Sequence, residues 1–271
     1  MGADMVVQNY QLSFNLGAMN KNEEQEIKKE FQLERVILFS DAVFAIIITI
    51  MVLDIRLPEG LRHADTNRIS SALIELIPKI FAYGLSFFLV SMYWLSHLKM
   101  FSHLKDYDAK LLGYNLFYLF SVSLFPFGVT LISGNINPQS TAYGWGIYTY
   151  AAIIFLSTFS QTLLTRYLMV NRQKLCFDPD NLDPVLKYKV VRLNFIIIPV
   201  VLLLFAGLSF LKAPSYYAML PIAIYGFTTA ILSKKYYPEE HNRPVLFRLF
   251  ETIKKRRINK RTSKQILAKK R

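Results

Sequence analysis

Six mostly apolar stretches, each long enough to cross a bilayer, constrain this chain more than any other feature. They fall near residues 36–57, 73–98, 111–133, 145–169, 193–211 and 216–232. A hydrocarbon core of about 30 Å needs about 20 such residues in a helix. The fourth and sixth are the most dilute, interrupted by Tyr148, Thr149 and Gln161 and by Gly226. Burying six such segments in a soluble protein would need a polar shell that 271 residues cannot supply. The sequence therefore predicts an all-α integral membrane protein with six transmembrane helices. The first 30 residues lack the charged, apolar and small-residue succession of a cleavable signal. Residues 21–34 are rich in charge and are expected to extend the first helix into water.

The net charge of +13 reads as topology. Counting Lys and Arg at both termini and in the second and fourth loops gives 27, against 5 on the opposite side. The positive-inside rule then places both termini in the cytoplasm of a multi-pass cell-membrane protein. This divides the chain into a cytoplasmic segment (1–35), a six-helix membrane domain (36–232) and a basic cytoplasmic tail (233–271). The tail's Lys254-Lys255-Arg256-Arg257 run suits an anionic leaflet. Nucleic acid is not expected as a partner, because no aromatic residues interleave the charges.

Enzyme chemistry finds no support. Cys176 is the lone cysteine, and His63, His97, His103 and His241 have no metal-ligand spacing. No phosphate loop or nucleophile elbow occurs, so no cofactor, resident metal or catalytic residue is expected.

The first span differs from the rest. Asp41 lies about one and a half turns inside it, where a carboxylate is costly and needs a partner or water. At about 100° per residue, Ile46, Ile50 and Leu53 share an arc of about 60°, with Thr49 at its edge. Asp41 points about 140° away from Ile46. Arg35 lies about 240° round the helix from Asp41, so the two are poorly placed to pair. On periodicity alone the aliphatic stripe suits lipid or helix packing as well as a pore. Trp94 and His97, three residues apart, share a face at the end of span two, and Asn115 begins span three. The topology puts Asp41, His97 and Asn115 at a common depth, where they could form a polar network.

Arg35, followed after three residues by Phe39-Ser40-Asp41, resembles the first-span hallmark of the transmembrane protein 175 family of potassium channels, in its prokaryotic single-repeat form. Trp94, His97 and Phe101 resemble the family's second-span ending, and Asn115 with Pro126-Phe127 its third span. Leu98 departs from the pattern, since many relatives carry a second histidine there. The resemblance implies a potassium channel whose first helices line a pore, with Ile46, Ile50 and Leu53 as an apolar constriction and Thr49 as a hydroxyl beside it. It also implies that Arg35, Phe39, Ser40, Asp41, Trp94, His97 and Asn115 form the motif and the network tying that helix to its neighbours. One repeat per chain implies a homotetramer, with potassium ions and membrane lipids as the other partners. Asp54 and Glu59 would stand near the outer mouth, as ordinary interfacial charges or as a cation-concentrating field. A secondary transporter of a small cation or solute is the alternative. It would call for broken helices at matching places in two halves. Pro126, Pro199 and Pro221 are isolated kink candidates instead.

Overall fold

The computed structural model describes residues 27–56, 65–134, 141–211, 217 and 219–237. Glu59, the first 26 residues and the tail from 238 lie outside the described residues.

Helix α1 runs over Ile27–Leu53, tightening at its end into the 3-10 turn Met51–Asp54. Its run of Ile46-Ile47-Ile48-Thr49-Ile50 is β-branched, which weakens a helix in water. In a bilayer the backbone must bond to itself, and helix is the available solution. The helix is already formed at Ile27, so the charged approach to the span is helical over its described part.

Helix α2 spans Thr66–Phe101 with Pro78 inside it. Helix α3, Ala109–Ser123, starts at Asp108, whose side chain accepts the Leu111 N–H. It gives way at Leu124 to α4, Phe125–Ser133. Pro126 explains the break, because it supplies no N–H to the preceding turn. Helix α5 covers Thr141–Val170. Two short helices follow, α6 (Arg172–Leu175) and α7 (Leu182–Leu186), then α8 (Tyr188–Phe210) and α9 (Met219–Tyr236).

Among the described residues, five segments are long and apolar enough to cross a membrane: Ile27–Leu53, Ile69–Phe101, Ala109–Ser133, Tyr143–Val170 and Tyr188–Leu208. Helix α9 occupies the place of the sixth apolar block and packs on α8. Helix α5 is the hub, packing against α3, α4 and α8. Two glycines permit its close approach to α4. A Cβ on Gly146 would stand 2.7 Å from the Leu131 carbonyl oxygen, and one on Gly128 2.8 Å from Ile153 Cδ1. Small residues at such contacts let membrane helices approach where water supplies no driving force.

Polar residues of the fourth block, Gln161 among those that dilute it, bond to neighbouring helices. Tyr93 and Thr158 hydroxyls meet at 2.9 Å, and Ser86 and Tyr150 hydroxyls at 2.7 Å. Gln161 Nε2 donates to Ser96 Oγ, and Asn194 Nδ2 donates to Thr162 Oγ1. Beyond the spans, an isolated bridge joins Leu104 to Cys176, with Lys105 N–H donating to the Leu175 carbonyl at 2.8 Å.

Candidate functional site: the two faces of the first helix

Helix α1 is two-faced. Leu33, Ser40, Phe44, Ile47 and Met51 are its buried residues, and helical geometry puts them within an arc of about 60°. Ile46, Ile50 and Leu53 centre about 120° away from that arc. They remain 55%, 47% and 63% exposed. Thr49 is exposed beside them and donates its hydroxyl back to the Ala45 and Ile46 carbonyls at 2.9 and 3.0 Å. Beyond Leu53, Arg56 Nε donates to the Leu53 carbonyl at 3.2 Å.

The buried face is held by a directed chain of hydrogen bonds. Asn115 Oδ1 can only accept, so His97 Nε2 carries a proton and donates to it at 2.8 Å. Asn115 Nδ2 donates to Ser40 Oγ at 3.0 Å, and Ser40 donates to the Val36 carbonyl at 2.9 Å. The chain links α2, α3 and α1. Ser40, His97 and Asn115 are all buried. The His97 ring stacks on Phe101 at 4.1 Å and packs near Phe44 and Tyr118. Its Nδ1 is buried with no hydrogen-bond partner among the described residues. On the flank of the same face, Trp94 Nε1 donates to Asp41 Oδ1 at 2.9 Å.

Ser40, Asp41, Trp94, His97 and Asn115 thus come together, in two separate sets of bonds. Arg35 and Phe39 do not join them within one chain. Both stay exposed, in the same arc as Ile46. Asp54 belongs to the closing 3-10 turn of α1.

Three supports were not found from the sequence. Phe44 and Tyr118 pack against the histidine ring, and Tyr118 OH also donates to the Tyr93 carbonyl at 3.0 Å. Phe44 follows Ser40 by one turn, a spacing that marks it as sharing the buried face. The third is a strap on the early turns of α1. Tyr107 OH donates to Gln32 Oε1 at 2.6 Å, and Lys29 lies 3.6 Å from Asp106. Asp108, nearby, binds the Tyr167 hydroxyl at 2.7 Å and Lys174 at 3.6 Å. Desolvation pushes its pKa up, but the Leu111 N–H, the Tyr167 hydroxyl and Lys174 together hold it below the usual carboxylate range.

An apolar helical assembly with polar clasps between its spans defines an all-α, multi-pass integral membrane protein. Residues 35–126 match the family described as endosomal/lysosomal potassium channel TMEM175. A potassium channel of Chryseobacterium sp. is 33% identical over 135 residues, covering 50% of this chain and 64% of the relative. A potassium channel of Chamaesiphon minutus is 32% identical over 135 residues, covering 48% of this chain and 66% of the relative. The chain therefore spans just under two thirds of the length of these curated relatives. The crystal structure of a lysosomal potassium-selective channel TMEM175 homolog from Chamaesiphon minutus superposes with a TM-score of 0.56 at 22% identity. That match covers 75% of this chain and 97% of the other, and shows a shared fold. Over its first three spans the chain is thus similar to the TMEM175 family.

Proposed function

We propose that this protein is a potassium-permeable cation channel, conducting passively between the first helices of a homotetramer. The observation that carries the reading is the exposure of Ile46, Ile50 and Leu53 on the face of α1 turned away from its own chain's buried contacts. In the tetramer, four Ile46 side chains would narrow the path, and Ile50 and Leu53 would extend an apolar collar. Such a collar gates by dewetting, and a cation crossing it sheds part of its hydration shell. Potassium releases water more readily than sodium, which gives a preference without a dedicated binding site. The Ser40–Asn115–His97 chain and the Asp41–Trp94 bond hold the pore helix from behind.

The reading places the membrane domain at 36–232 in the cell membrane, with the segment 1–35 and the basic tail 233–271 in the cytoplasm. The names of the curated relatives support potassium as the permeant ion.

The test is ion flux through purified protein in liposomes, driven first by a potassium gradient and then by a sodium gradient. Potassium flux should exceed sodium flux, and Ile46→Asn should reduce the difference by wetting the constriction. An unchanged preference in Ile46→Asn would refute the constriction. Absence of flux from folded, reconstituted protein would refute constitutive conduction.

A further inference from the structure

Two arginines stand exposed at one boundary of the membrane domain, on helices that pack together. Arg166 lies one turn before the end of the span Tyr143–Val170, and Arg192 one turn after the start of the span Tyr188–Leu208. Neither guanidinium forms a hydrogen bond or an ion pair among the described residues. We propose that the two arginines hold the phosphate of an anionic phospholipid, whose acyl chains lie along the adjoining faces of α5 and α8. The proposal stands on the membrane-embedded fold and is independent of ion conduction.

The two charges come to one level. Helices α5 and α8 pack against each other, and Asn194 Nδ2 donates to Thr162 Oγ1 at 3.1 Å between them. From that bond Arg166 is four residues on in α5 and Arg192 two residues back in α8. The chain leaves the membrane after α5 and re-enters with α8, so both steps run toward the same boundary. At 1.5 Å per residue the two positions differ in height by about 3 Å.

The two charges also come to one side. Arg166 Cζ stands over the Phe195 ring, 5.1 Å from its centroid. Arg192 is three residues before Phe195 and shares its face of α8. A guanidinium held by a ring keeps its five N–H donors for another partner. An unpaired charge one turn inside a span is costly, and a second like charge beside it adds repulsion. An anion between them removes both costs, and guanidinium groups match the oxygens of a phosphate.

Below the arginines the surface is shaped for hydrocarbon, which selects a lipid over a soluble anion. On α5, Arg166, Phe159 and Ala152 follow one another at steps of seven, and all are exposed. On α8, Arg192, Phe195, Pro199 and Leu202 share an arc of about 80°. Pro199 and Leu202 are exposed, and Phe195 is half-buried. The Phe159 and Phe195 rings meet edge to face at 6.3 Å, which joins the two stripes. Each stripe therefore carries a cation at the headgroup layer and apolar side chains beneath it. Basic sites between membrane helices take anionic headgroups in this way.

The test is a titration of the detergent-purified full chain with dioctanoyl phosphatidylglycerol, read by native mass spectrometry. The double variant Arg166→Gln with Arg192→Gln should bind at least about tenfold more weakly. Both positions are exposed, so the lipid-free variant should keep the wild-type melting temperature. Lys234→Gln with Lys235→Gln removes two charges from the exposed last turn of α9 and should match the wild type. A second measurement uses the wild type alone: phosphatidylglycerol with a diazirine in its acyl chain should label Phe159 or the stretch from Phe195 to Leu202. Labelling confined to other helices overturns the proposal, as does a smaller loss in the arginine variant. An equal loss in the lysine variant would mean diffuse attraction, and equal binding of dioctanoyl phosphatidylcholine would mean acyl-chain binding alone. Displacement of the lipid by an equal concentration of inorganic phosphate would mean a soluble-anion site. A smaller assembly in the arginine variant with unchanged lipid affinity would mean that this face meets a second copy of the chain. Each of these results overturns the proposal.

Discussion

Asn115→Ala probes how the first helix is held. The Asn115 side chain is 2% exposed and makes two inter-helix hydrogen bonds, one from His97 Nε2 at 2.8 Å and one to Ser40 Oγ at 3.0 Å. Hydrogen bonds between membrane helices average about 0.6 kcal/mol and reach about 1.7 kcal/mol. The variant also strands His97 Nε2, in a ring whose Nδ1 has no partner already. A buried donor left unsatisfied costs about 1–3 kcal/mol. Together these put Asn115→Ala at about 2–3 kcal/mol of destabilisation. Ser40→Ala loses one inter-helix bond and leaves the buried Asn115 Nδ2 without its acceptor, for about 1–3 kcal/mol, while its other bond goes to Val36 in its own helix. In the double variant the Ser40–Asn115 bond is counted once, so a coupling of about 0.6–1.7 kcal/mol is expected from the cycle. The assay is reversible unfolding in mixed micelles of dodecyl maltoside and sodium dodecyl sulfate, followed by tryptophan fluorescence. Trp94 reports locally through its bond to Asp41. Strict additivity of the two variants, or a cost below about 0.5 kcal/mol for Asn115→Ala, would refute the claim that this chain of bonds docks α1.

Three further outcomes follow from the packing and the loop end. Gly146→Ala should destabilise by about 1–3 kcal/mol and exceed Gly128→Ala in the same unfolding assay, because its Cβ meets the Leu131 backbone, whereas the other's close contacts are side-chain atoms of Ile153 and Tyr150. Cys176 is fully buried, and burial pushes its thiol up to about 11 against a partial opposing effect of Lys105. Iodoacetamide at pH 7.5 should therefore leave it unmodified by mass spectrometry until the protein is unfolded. Asp108 is held below its unfolded value, so its stabilisation is complete at neutral pH and fades as pH falls below about 4 through the folded value. Asp108→Ala should lower the melting temperature at pH 7 and leave a smaller drop between pH 7 and pH 3 than the wild type shows.

The spans were legible because bilayer crossing needs length and apolarity, both of which are read directly from the residues. The break at Leu124 was signalled by Pro126, whereas Pro78 sits inside α2 without ending it. The common depth of Asp41, His97 and Asn115 was legible from topology. The partition was not: Asp41 pairs with Trp94, and Asn115 reaches Ser40, because rotation of each helix decides which donors meet. The strap of Tyr107 on Gln32 joins positions 75 residues apart and leaves no periodic trace in either segment. The same holds for Arg166 over the Phe195 ring, since the two lie on different helices and Arg166 looks in sequence like an ordinary charge at the end of a span.

The division of labour among the helices explains why a conducting path between copies is the economical reading. Helix α5 carries Tyr150, Thr158, Gln161 and Thr162, and each bonds to α2 or α8 within the chain. Polar groups in a span are costly unless paired, so these residues serve to hold the protomer together. Helix α1 does the opposite on its outer face. Arg35, Phe39, Ala42, Ile46, Thr49 and Leu53 recur at alternating steps of four and three and are all exposed. Under the proposed function, that spacing would let four copies of the helix meet around a common axis. A charged residue at one end and a hydroxyl amid aliphatic side chains have little to gain from lipid. Around an axis, they would face one another and water.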